Sequence, residues 1–405
     1  MRIAMVSEHA NPLATVGGVD AGGQNLHVGE LSKALARQGH QVRIYSRREN
    51  AEVPDVVELA PGVEVEHVPA GPHRPLPKDA LLPLMPEFAE HLTHRWQHQV
   101  PDVVHAHFWM SGLAAQIATW GLDVPVVQTF HALGSVKRRH QGAGDTSPAE
   151  RVEVERSLAS SFAAVIATCS DEVFELAAMG VRPGMMAVVP CGVDLARFVP
   201  EGDRTPRRHL HRILSVGRLV ERKGFDLLIT ALRAVPDTEL VIAGGPPAGP
   251  ALDADPEATW LRTLAARLGL ADRVVLLGAS TPADMPSLLR SADVVACTPW
   301  YEPFGIVAVE AMACGAPVVA SAVGGFTDTI IDGVTGVLVP PRAPETLAMA
   351  LRQLLASPQQ RATLGRAAAA RARARYGWDR IAGQTAGVYG DVAAPSRAVA
   401  AMGAR

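Results

Sequence analysis

Short apolar runs alternate with amphipathic stretches along most of the chain. Residues 2–7, RIAMVS, form an apolar run that predicts a buried strand. After a glycine-rich turn, Leu26, Leu31 and Leu35 recur near helical spacing, which predicts a helix. Gly39 marks its predicted end, and the run QVRIYS predicts another strand. Strand, loop, helix and strand in this order are typical of a parallel sheet with crossover helices.

The same alternation continues in both halves of the chain. Further strands of the first half are predicted over PDVVHAHFW, VPVVQTFHA and AAVIATCS. In the second half, predicted strands and helices alternate in the order HRILSVGR, GFDLLITALRAV, ELVIAGG, TWLRTLAARLG, RVVLLG, ADMPSLLRSA, DVVACTP, the helix carrying Glu310, and PVVASA. Proline, glycine and charge interrupt the pattern near residues 192–209, where we place a linker. The predicted fold class is α/β, with two doubly wound, Rossmann-like domains facing a central cleft that binds ligands at the carboxyl ends of the strands.

Composition and charge narrow the class of protein. A chain of 405 residues with 48% hydrophobic and 20% charged residues has the size and make-up of a two-domain globular protein. Its net charge of −3 argues against a general nucleic-acid partner. The four cysteines lack metal-finger spacing, and neither a secretory signal nor a bilayer-spanning run is evident, so we expect a cytoplasmic protein with reduced thiols.

Two cations follow the first predicted strand of the second half. In SVGRLVERKG, Arg218 and Lys223 stand five residues apart at a strand end. A planar fork and a point charge at this spacing can grip a diphosphate. An ordinary solvated basic turn is the alternative interpretation.

Two carboxylates follow in EPFGIVAVEAMACG. Glu302 is predicted in a loop after a strand, and Glu310 inside the next helix. Amides near Gly305 at the helix start can hold phosphate, and Glu310 can then accept hydrogen bonds from ribose hydroxyls and Glu302 from sugar hydroxyls. A helix carboxylate that merely reaches solvent is the alternative for Glu310.

The first half offers weaker signals. The loop GGVDAGGQN, with Gly22 and Gly23 next to the predicted helix, can bring main-chain amides close to an anion, but it is not a dinucleotide fingerprint. His131 in QTFHALG follows a strand, although a lone histidine is more often structural. His105 and His107 share one strand face as a candidate metal pair, but no third ligand is evident and we predict no metal site.

Two further features are better explained without a ligand. Asp253 and Asp255 in DADPE fit a solvated turn and a helix cap. The run VKRRH, whose basic residues are at 137–140, is compatible with a peripheral membrane contact, which we leave open, as we do a homodimer.

Taken together, six stretches resemble the retaining glycosyltransferases of family 4, which have the GT-B fold. They are GGVDAGGQN, TFHALG, VPCGVD, SVGRLVERKG, EPFGIVAVEAMACGAPVVAS and VGGFTDTI. The resemblance runs from residue 1 to about residue 390 and is most specific in the second half. The first half is most similar to the branch that contains sucrose-phosphate synthases and the inositol-phosphate N-acetylglucosaminyltransferases of mycothiol synthesis.

The resemblance implies a domain division and a donor site. It implies an acceptor-binding domain over 1–195 on which a C-terminal helix, 376–391, packs back, a nucleotide-sugar-binding domain over 196–375, and a loose tail over 392–405. Arg218 and Lys223 would hold the donor diphosphate, Glu310 the ribose and Glu302 the donor sugar. His131 would lie beside the transferred sugar. Donor contacts would be completed by Gly22, Gly23, Phe304, Gly305 and Ile306.

The resemblance also implies an acceptor site, with one departure from the family. Asn25, Lys78 and Arg151 match positions that bind the acceptor phosphate in the inositol-phosphate relatives, but Phe108 and Ala132 replace a tyrosine and a threonine. Loss of two hydroxyl groups weakens a site built for polar contacts, so a different acceptor is favoured.

The implied activity is transfer, with retention, of a hexosyl or N-acetylhexosaminyl group from a nucleoside-diphosphate sugar, UDP-sugar favoured, to a small-molecule hydroxyl acceptor. No cofactor besides the donor is expected. The alternatives are a nucleotide-sugar 2-epimerase and a non-catalytic sugar-nucleotide binding protein. A nicotinamide oxidoreductase is disfavoured by the absent fingerprint.

Overall fold

The chain forms two compact α/β units. The computed structural model describes residues 1–14 and 22–403, with side chains up to residue 394. The first unit contains the described residues up to Pro190 together with the chain from Trp378 onward. The second unit comprises Cys191–Gly377.

The first unit is built on a sheet of eight strands in its described residues. They run in the order β3-β4-β2-β1-β5-β6-β7-β8, and all neighbours are parallel except β3 and β4. The strands are β1 Arg2–Val6, β2 Gln41–Arg47, β3 Val56–Ala60, β4 Val63–Val68, β5 Val103–His107, β6 Val126–Thr129, β7 Ala164–Ala167 and β8 Met186–Val188. The helices are α1 Gly23–Arg37, α2 Met85–His98, α3 Trp109–Ala118, α4 Gly134–Gln141, α5 Arg151–Ser161, α6 Ser170–Ala178 and the C-terminal α15 Trp378–Gly403.

Both faces of this sheet are covered, which explains why its strands are continuous apolar runs. Along β1, Ile3 and Met5 pack with residues of α1 and α15, whereas Ala4 and Val6 pack with residues of α2 and α3. Successive side chains of a strand point to opposite faces, so one short run contributes to two cores.

The second unit is built on a wholly parallel sheet of six strands in the order β11-β10-β9-β12-β13-β14. The strands are β9 His211–Val216, β10 Thr238–Ala243, β11 Val274–Gly278, β12 Val294–Cys297, β13 Val318–Ser321 and β14 Val337–Val339. The helices are α7 Phe225–Leu232, α8 Pro250–Asp253, α9 Pro256–Arg267, α10 Met285–Ser291, α11 Ile306–Ala313, α12 Phe326–Thr329, α13 Pro344–Ala356 and α14 Pro358–Arg375.

Each sheet contains a point at which the strand order reverses. In the first unit β1 lies between β2 and β5, and in the second β9 lies between β10 and β12. Parallel sheets bind ligands beyond the carboxyl ends of the strands at such points. A ligand-binding site is therefore expected at the loops after β1, β5, β9 and β12.

The C-terminal region is helical. The tail predicted from residue 392 is part of α15 as far as Gly403, in a stretch rich in alanine, the strongest helix former. Its Trp378, Ile381 and Tyr389 are buried in the core of the first unit. In the described part of the chain, no helix combines the length and apolarity needed to cross a bilayer.

Candidate active site

The loop after β9 presents the predicted cation pair. Arg218 is exposed, and Lys223 ends a single 3-10 turn, Glu221–Lys223. Gly224 follows with φ of +67°, and a Cβ on it would lie 2.1 Å from the carbonyl oxygen of Thr298. Only glycine fits this close approach. The loop after β9 is thereby held against the chain leaving β12.

This contact brings Lys223 to Glu302. The Lys223 Nζ donates a hydrogen bond to Oε2 of Glu302. Burial raises the pKa of Glu302, but the nearby charges of Lys223, Arg222 and Arg218 outweigh burial and bring the pKa below its ordinary value. The structure thus unites three of the predicted site residues around an ionised carboxylate.

The start of α11 lies beside this pair. Gly305 caps the helix with φ of +87°, and a Cβ there would lie 2.1 Å from Cε1 of Phe326. The amide of Gly325 donates to the carbonyl oxygen of Glu302 at 3.0 Å, and Phe304 is buried with its ring edge-on to Tyr376. Ile306 opens the helix, and amides of a first turn have no partner within their helix. This position can therefore receive an anion.

Glu310 lies one turn further along α11. Burial raises the pKa of Glu310 to about 8, and Arg197 opposes this shift only in part. Most of this carboxyl is therefore protonated at pH 7 in the free protein. Hydrogen-bond donors such as the hydroxyls of a ribose would favour the carboxylate.

In the first unit, His131 belongs to a cluster of buried histidines. It follows β6 with φ of +60°, and its Nε2 lies 2.9 Å from Nδ1 of His107 on β5. His27 of α1 stands edge-on to His131, with ring centroids 5.1 Å apart. His105 is hydrogen-bonded to the hydroxyl of Tyr389 on α15, at 2.6 Å. The sequence pattern indicated a lone histidine at this position, whereas the structure places His131 among other histidines.

Burial keeps this cluster neutral. It lowers the pKa of His27 to about 4 and that of His105 to about 3. Burial, followed by repulsion from neighbouring histidines, holds the pKa values of His107 and His131 well below their ordinary value. At pH 7 the rings therefore act as hydrogen-bonding groups or ligands and not as cations.

The glycine loop is described only at its end. Gly22 precedes α1 and Gly23 begins it, whereas Gly17 and Gly18 lie outside the described residues. The amide of Gly22 donates to Oδ1 of Asn25 at 3.0 Å, and Nδ2 of Asn25 donates to the carbonyl oxygen of Asn11 at 2.9 Å. Asn25, predicted to bind acceptor, uses both polar atoms to close the start of α1.

Lys78 and Arg151, the other two predicted acceptor residues, meet at Phe108. The Nζ of Lys78 lies 5.2 Å, and the Cζ of Arg151 4.9 Å, from the centroid of the Phe108 ring. Arg151 is buried and donates to Glu155 at 2.7 Å, to Ser147 at 3.1 Å and to the carbonyl oxygen of Ala132 at 2.5 Å. Its hydrogen-bonding capacity toward a ligand is therefore reduced.

The sequence analysis did not identify two residues of the candidate sites. Arg222 contributes to the charge around Glu302 and lies 5.2 Å over the Tyr301 ring, and its place beside Lys223 was a usable signal. His27 belongs to the histidine cluster, but helical spacing alone did not connect it with His131. The helix cap predicted in DADPE is confirmed, since Asp255 accepts from the amide of Ala258 at 2.8 Å.

Two family descriptions match the chain. "Glycosyl transferase 4-like domain" matches residues 22–192, and "Glycosyl transferases group 1" matches residues 206–371. The chain belongs to the group 1 glycosyltransferases of family 4, with the GT-B fold, as its motifs had predicted.

Individual relatives refine this placement. The chain is 39% identical over 406 residues to a D-inositol 3-phosphate glycosyltransferase of Xylanimonas cellulosilytica, covering 96% of each protein. It is 38% identical to another of that name from Kineococcus radiotolerans, covering 96% of this chain and 94% of that protein. Among solved structures, sucrose-phosphate synthase of Thermosynechococcus elongatus superposes with a TM-score of 0.91 at 32% identity, over 97% of this chain and 99% of that one.

Proposed function

We propose that this chain is a retaining glycosyltransferase that moves a hexosyl or N-acetylhexosaminyl group from a nucleoside-diphosphate sugar to a hydroxyl acceptor. The observation that carries the proposal is the cluster of Arg218, Arg222 and Lys223 around Glu302, beside the start of α11. It lies where the strand order of the second sheet reverses. A UDP-sugar is the favoured donor because of the family resemblance.

The cluster suits the departure of a nucleoside diphosphate. When the bond between C1 of the sugar and the β-phosphate oxygen breaks, its electron pair stays on the phosphate. Arg218, Lys223 and the first amides of α11 stabilise this added charge. Glu302 positions Lys223 and can also accept a hydrogen bond from a sugar hydroxyl.

The acceptor attacks on the face that the diphosphate leaves. Its hydroxyl oxygen forms the new bond to C1, and its proton passes to the departing phosphate oxygen, so charge and atoms balance. A double displacement needs a carboxylate nucleophile within about 5 Å of a second acid on the opposite face. Glu302 and Glu310 are assigned to the donor, so we favour same-face attack. A covalent sugar trapped on a side chain would contradict it.

The acceptor proposed here differs from D-inositol 3-phosphate. Phe108 presents a hydrocarbon ring between Lys78 and Arg151, and three donors of Arg151 are already engaged within the protein. A phosphate could use only the two N–H groups of Arg151 that remain. The acceptor is therefore a hydroxyl compound that does not depend on phosphate recognition by Arg151.

A thermal-shift screen followed by a transfer assay tests the proposal. UDP-, GDP- and ADP-sugars are screened first, because a ligand at 100 times its Kd adds about 2.7 kcal/mol of stability. The stabilising donor is then incubated with unphosphorylated polyols, hexose phosphates and D-inositol 3-phosphate. We expect one donor to stabilise the chain and its sugar to appear on an acceptor with the anomeric configuration kept.

The other outcomes point to the alternatives. Donor turnover to an epimer without acceptor would indicate a 2-epimerase. If a donor stabilises the chain but is neither transferred to an acceptor nor slowly hydrolysed, the chain is a binding protein. Inversion of configuration at C1 would contradict the proposed mechanism. If D-inositol 3-phosphate were the best acceptor, the acceptor assignment would be wrong.

A further inference from the structure

Three histidines of the first unit converge from separate elements. One ring nitrogen each of His27, His107 and His131 lies within 4.8 Å of those of the other two. His27 comes from α1, His107 from the end of β5 and His131 from the loop after β6. The side chains of His27 and His107 are buried, with 4% and 0% of the residue exposed, while His131 is partly exposed. His131 is thus the most exposed member of the cluster.

Two nitrogens of the cluster are unsatisfied. Nδ1 of His27 and Nε2 of His107 are buried and have no hydrogen-bond partner among the described residues. Leaving a buried polar atom unpaired costs free energy, and a bound ion would relieve this cost. A neutral imidazole nitrogen that lacks a hydrogen has a lone pair, and this lone pair is a metal ligand.

We propose that His27, His107 and His131 form a binding site for a divalent transition-metal ion of the Zn²⁺ class. Zn–N bonds of about 2.0–2.1 Å in tetrahedral geometry place ligand nitrogens about 3.3 Å apart. Since the three nitrogens lie within 4.8 Å of one another, ion binding must shorten their largest separation by about 1.5 Å. Three nitrogen ligands favour Zn²⁺, Cu²⁺ or Ni²⁺ over Mg²⁺ and Ca²⁺, which prefer oxygen. A fourth position stays open for water.

A bound ion would also affect transfer. It engages a ring nitrogen of His131, which the family resemblance would put beside the sugar transferred in the proposed function, so Zn²⁺ acts as an inhibitor. This consequence rests on the proposed function, whereas metal binding itself does not.

The test uses the untagged full-length chain with Zn²⁺ and Co²⁺ as probes. His94 and His98 form an exposed pair one helical turn apart on α2, with ring centroids 5.1 Å apart, and can bind metal on their own. All measurements are therefore made in a His94→Ala/His98→Ala background. We expect one Co²⁺ per chain with visible absorption bands of a low-symmetry site, displacement by Zn²⁺, and a raised Tm with either ion.

Two variants remove a ligand, and a third serves as control. His27→Phe keeps a ring in the buried position, and His131→Asn keeps a residue that tolerates positive φ. Each should lower metal affinity at least tenfold, whereas exposed His73→Ala should leave it unchanged. If His27→Phe does not fold, His131→Asn decides.

The proposal is overturned if the background chain takes up no stoichiometric metal, or if His131→Asn binds it as tightly as the background chain does. Metal binding without sugar transfer would support this site while contradicting the proposed function. Inhibition of transfer by Zn²⁺ should disappear in His27→Phe.

Discussion

Lys223 and Glu302 show how single residues shape the candidate site of the second unit. A carboxylate in a largely buried position would ordinarily be costly, and here three cations keep it ionised. The pair also fixes the lysine before any ligand arrives, because its Nζ already has a partner. A fixed cation stabilises developing charge without reorganising at the moment of reaction.

Replacing Lys223 with methionine should therefore impair the chemical step. By analogy with the loss of one oxyanion-hole donor, we expect kcat to fall by about 10²–10³. Steady-state assays with the identified donor measure this. Arg262→Ala is the matched control, because Arg262 of the same unit pairs with Asp253 at the surface. A loss below tenfold in Lys223→Met would argue against its role.

Glu310 makes stability depend on pH. Its pKa is raised from 4.5 to about 8, so the folded protein holds a proton that the unfolded chain releases. This group's contribution to stability is full below pH 4.5 and is lost as the pH rises toward 8. Glu310→Gln should thus be more stable than the parent chain at pH 8, with a difference that shrinks toward pH 5. Thermal unfolding at both pH values measures it, and an equal difference would contradict the assignment.

The same residue should couple donor binding to proton release. Ribose hydroxyls that donate to Glu310 favour its ionised form, so binding near pH 7 should expel up to one proton. Titration calorimetry in buffers of different ionisation enthalpy detects this release. Glu310→Gln should abolish it, and buffer-independent heats in the parent chain would exclude proton release and thus contradict the ribose role.

At the scale of elements, the site depends on the junction between β12 and α11. Gly305 has a positive φ, and its Cα faces the Phe326 ring too closely for a Cβ. We expect Gly305→Ala to destabilise the chain by about 1–3 kcal/mol, because the ring must move. It should also weaken donor binding, since the first amides of α11 shift with it.

Gly387 provides the matched control for this substitution. It lies exposed within α15, where a Cβ meets nothing within 4 Å. Gly387→Ala should stabilise the chain by about 0.5–1 kcal/mol. Unfolding in denaturant compares the two variants. If Gly305→Ala left stability unchanged or raised it, as Gly387→Ala should, the strain argument at Gly305 would be wrong.

The elements that carry the site were largely predictable. The strands before the site loops read as apolar runs because both faces of each sheet are covered. Glu302 and Glu310 fell on a loop and a helix because Gly305 separates them. The positive φ of Phe108 had no signal in the sequence, since a bulky aromatic residue seldom adopts that backbone region.

Long-range contacts limited the rest of the prediction. The histidine cluster joins residues from three elements far apart in sequence, and no local pattern encodes such a meeting. The partners of Arg151 likewise depend on the packing of α5 against the loop after β6. The antiparallel pair β3 and β4 was also absent from the predicted elements.

For the whole molecule, the return of α15 to the first unit is a defining feature. Arg37 donates to Asp379 at 2.7 Å near its start, and the hydroxyl of Tyr389 meets His105 in the core. His105 also bonds Thr129 at the end of β6, two residues before His131. The C-terminal helix is thereby linked to the strand that presents His131.

Removal of the Tyr389 hydroxyl tests this link. Tyr389→Phe leaves Nδ1 of His105 buried without its partner, and we expect a loss of about 1–3 kcal/mol. Urea unfolding of the variant and the parent chain measures it. Arg37→Ala breaks an exposed ion pair of the same helix and should cost less than about 1 kcal/mol. Equal effects of the two changes would contradict the importance of the buried contact.

The central claim is that the second unit holds the diphosphate of a nucleotide-sugar donor through Arg218 and Lys223. Titration calorimetry of UDP, GDP and ADP against the parent chain, Arg218→Ala/Lys223→Met and Arg262→Ala tests it most directly. The account predicts one nucleotide bound per chain, an affinity that falls with added salt, a loss of at least 100-fold in the double variant and no change in Arg262→Ala. Equal affinity in the double variant and the parent chain, or no nucleotide bound by either, would contradict it.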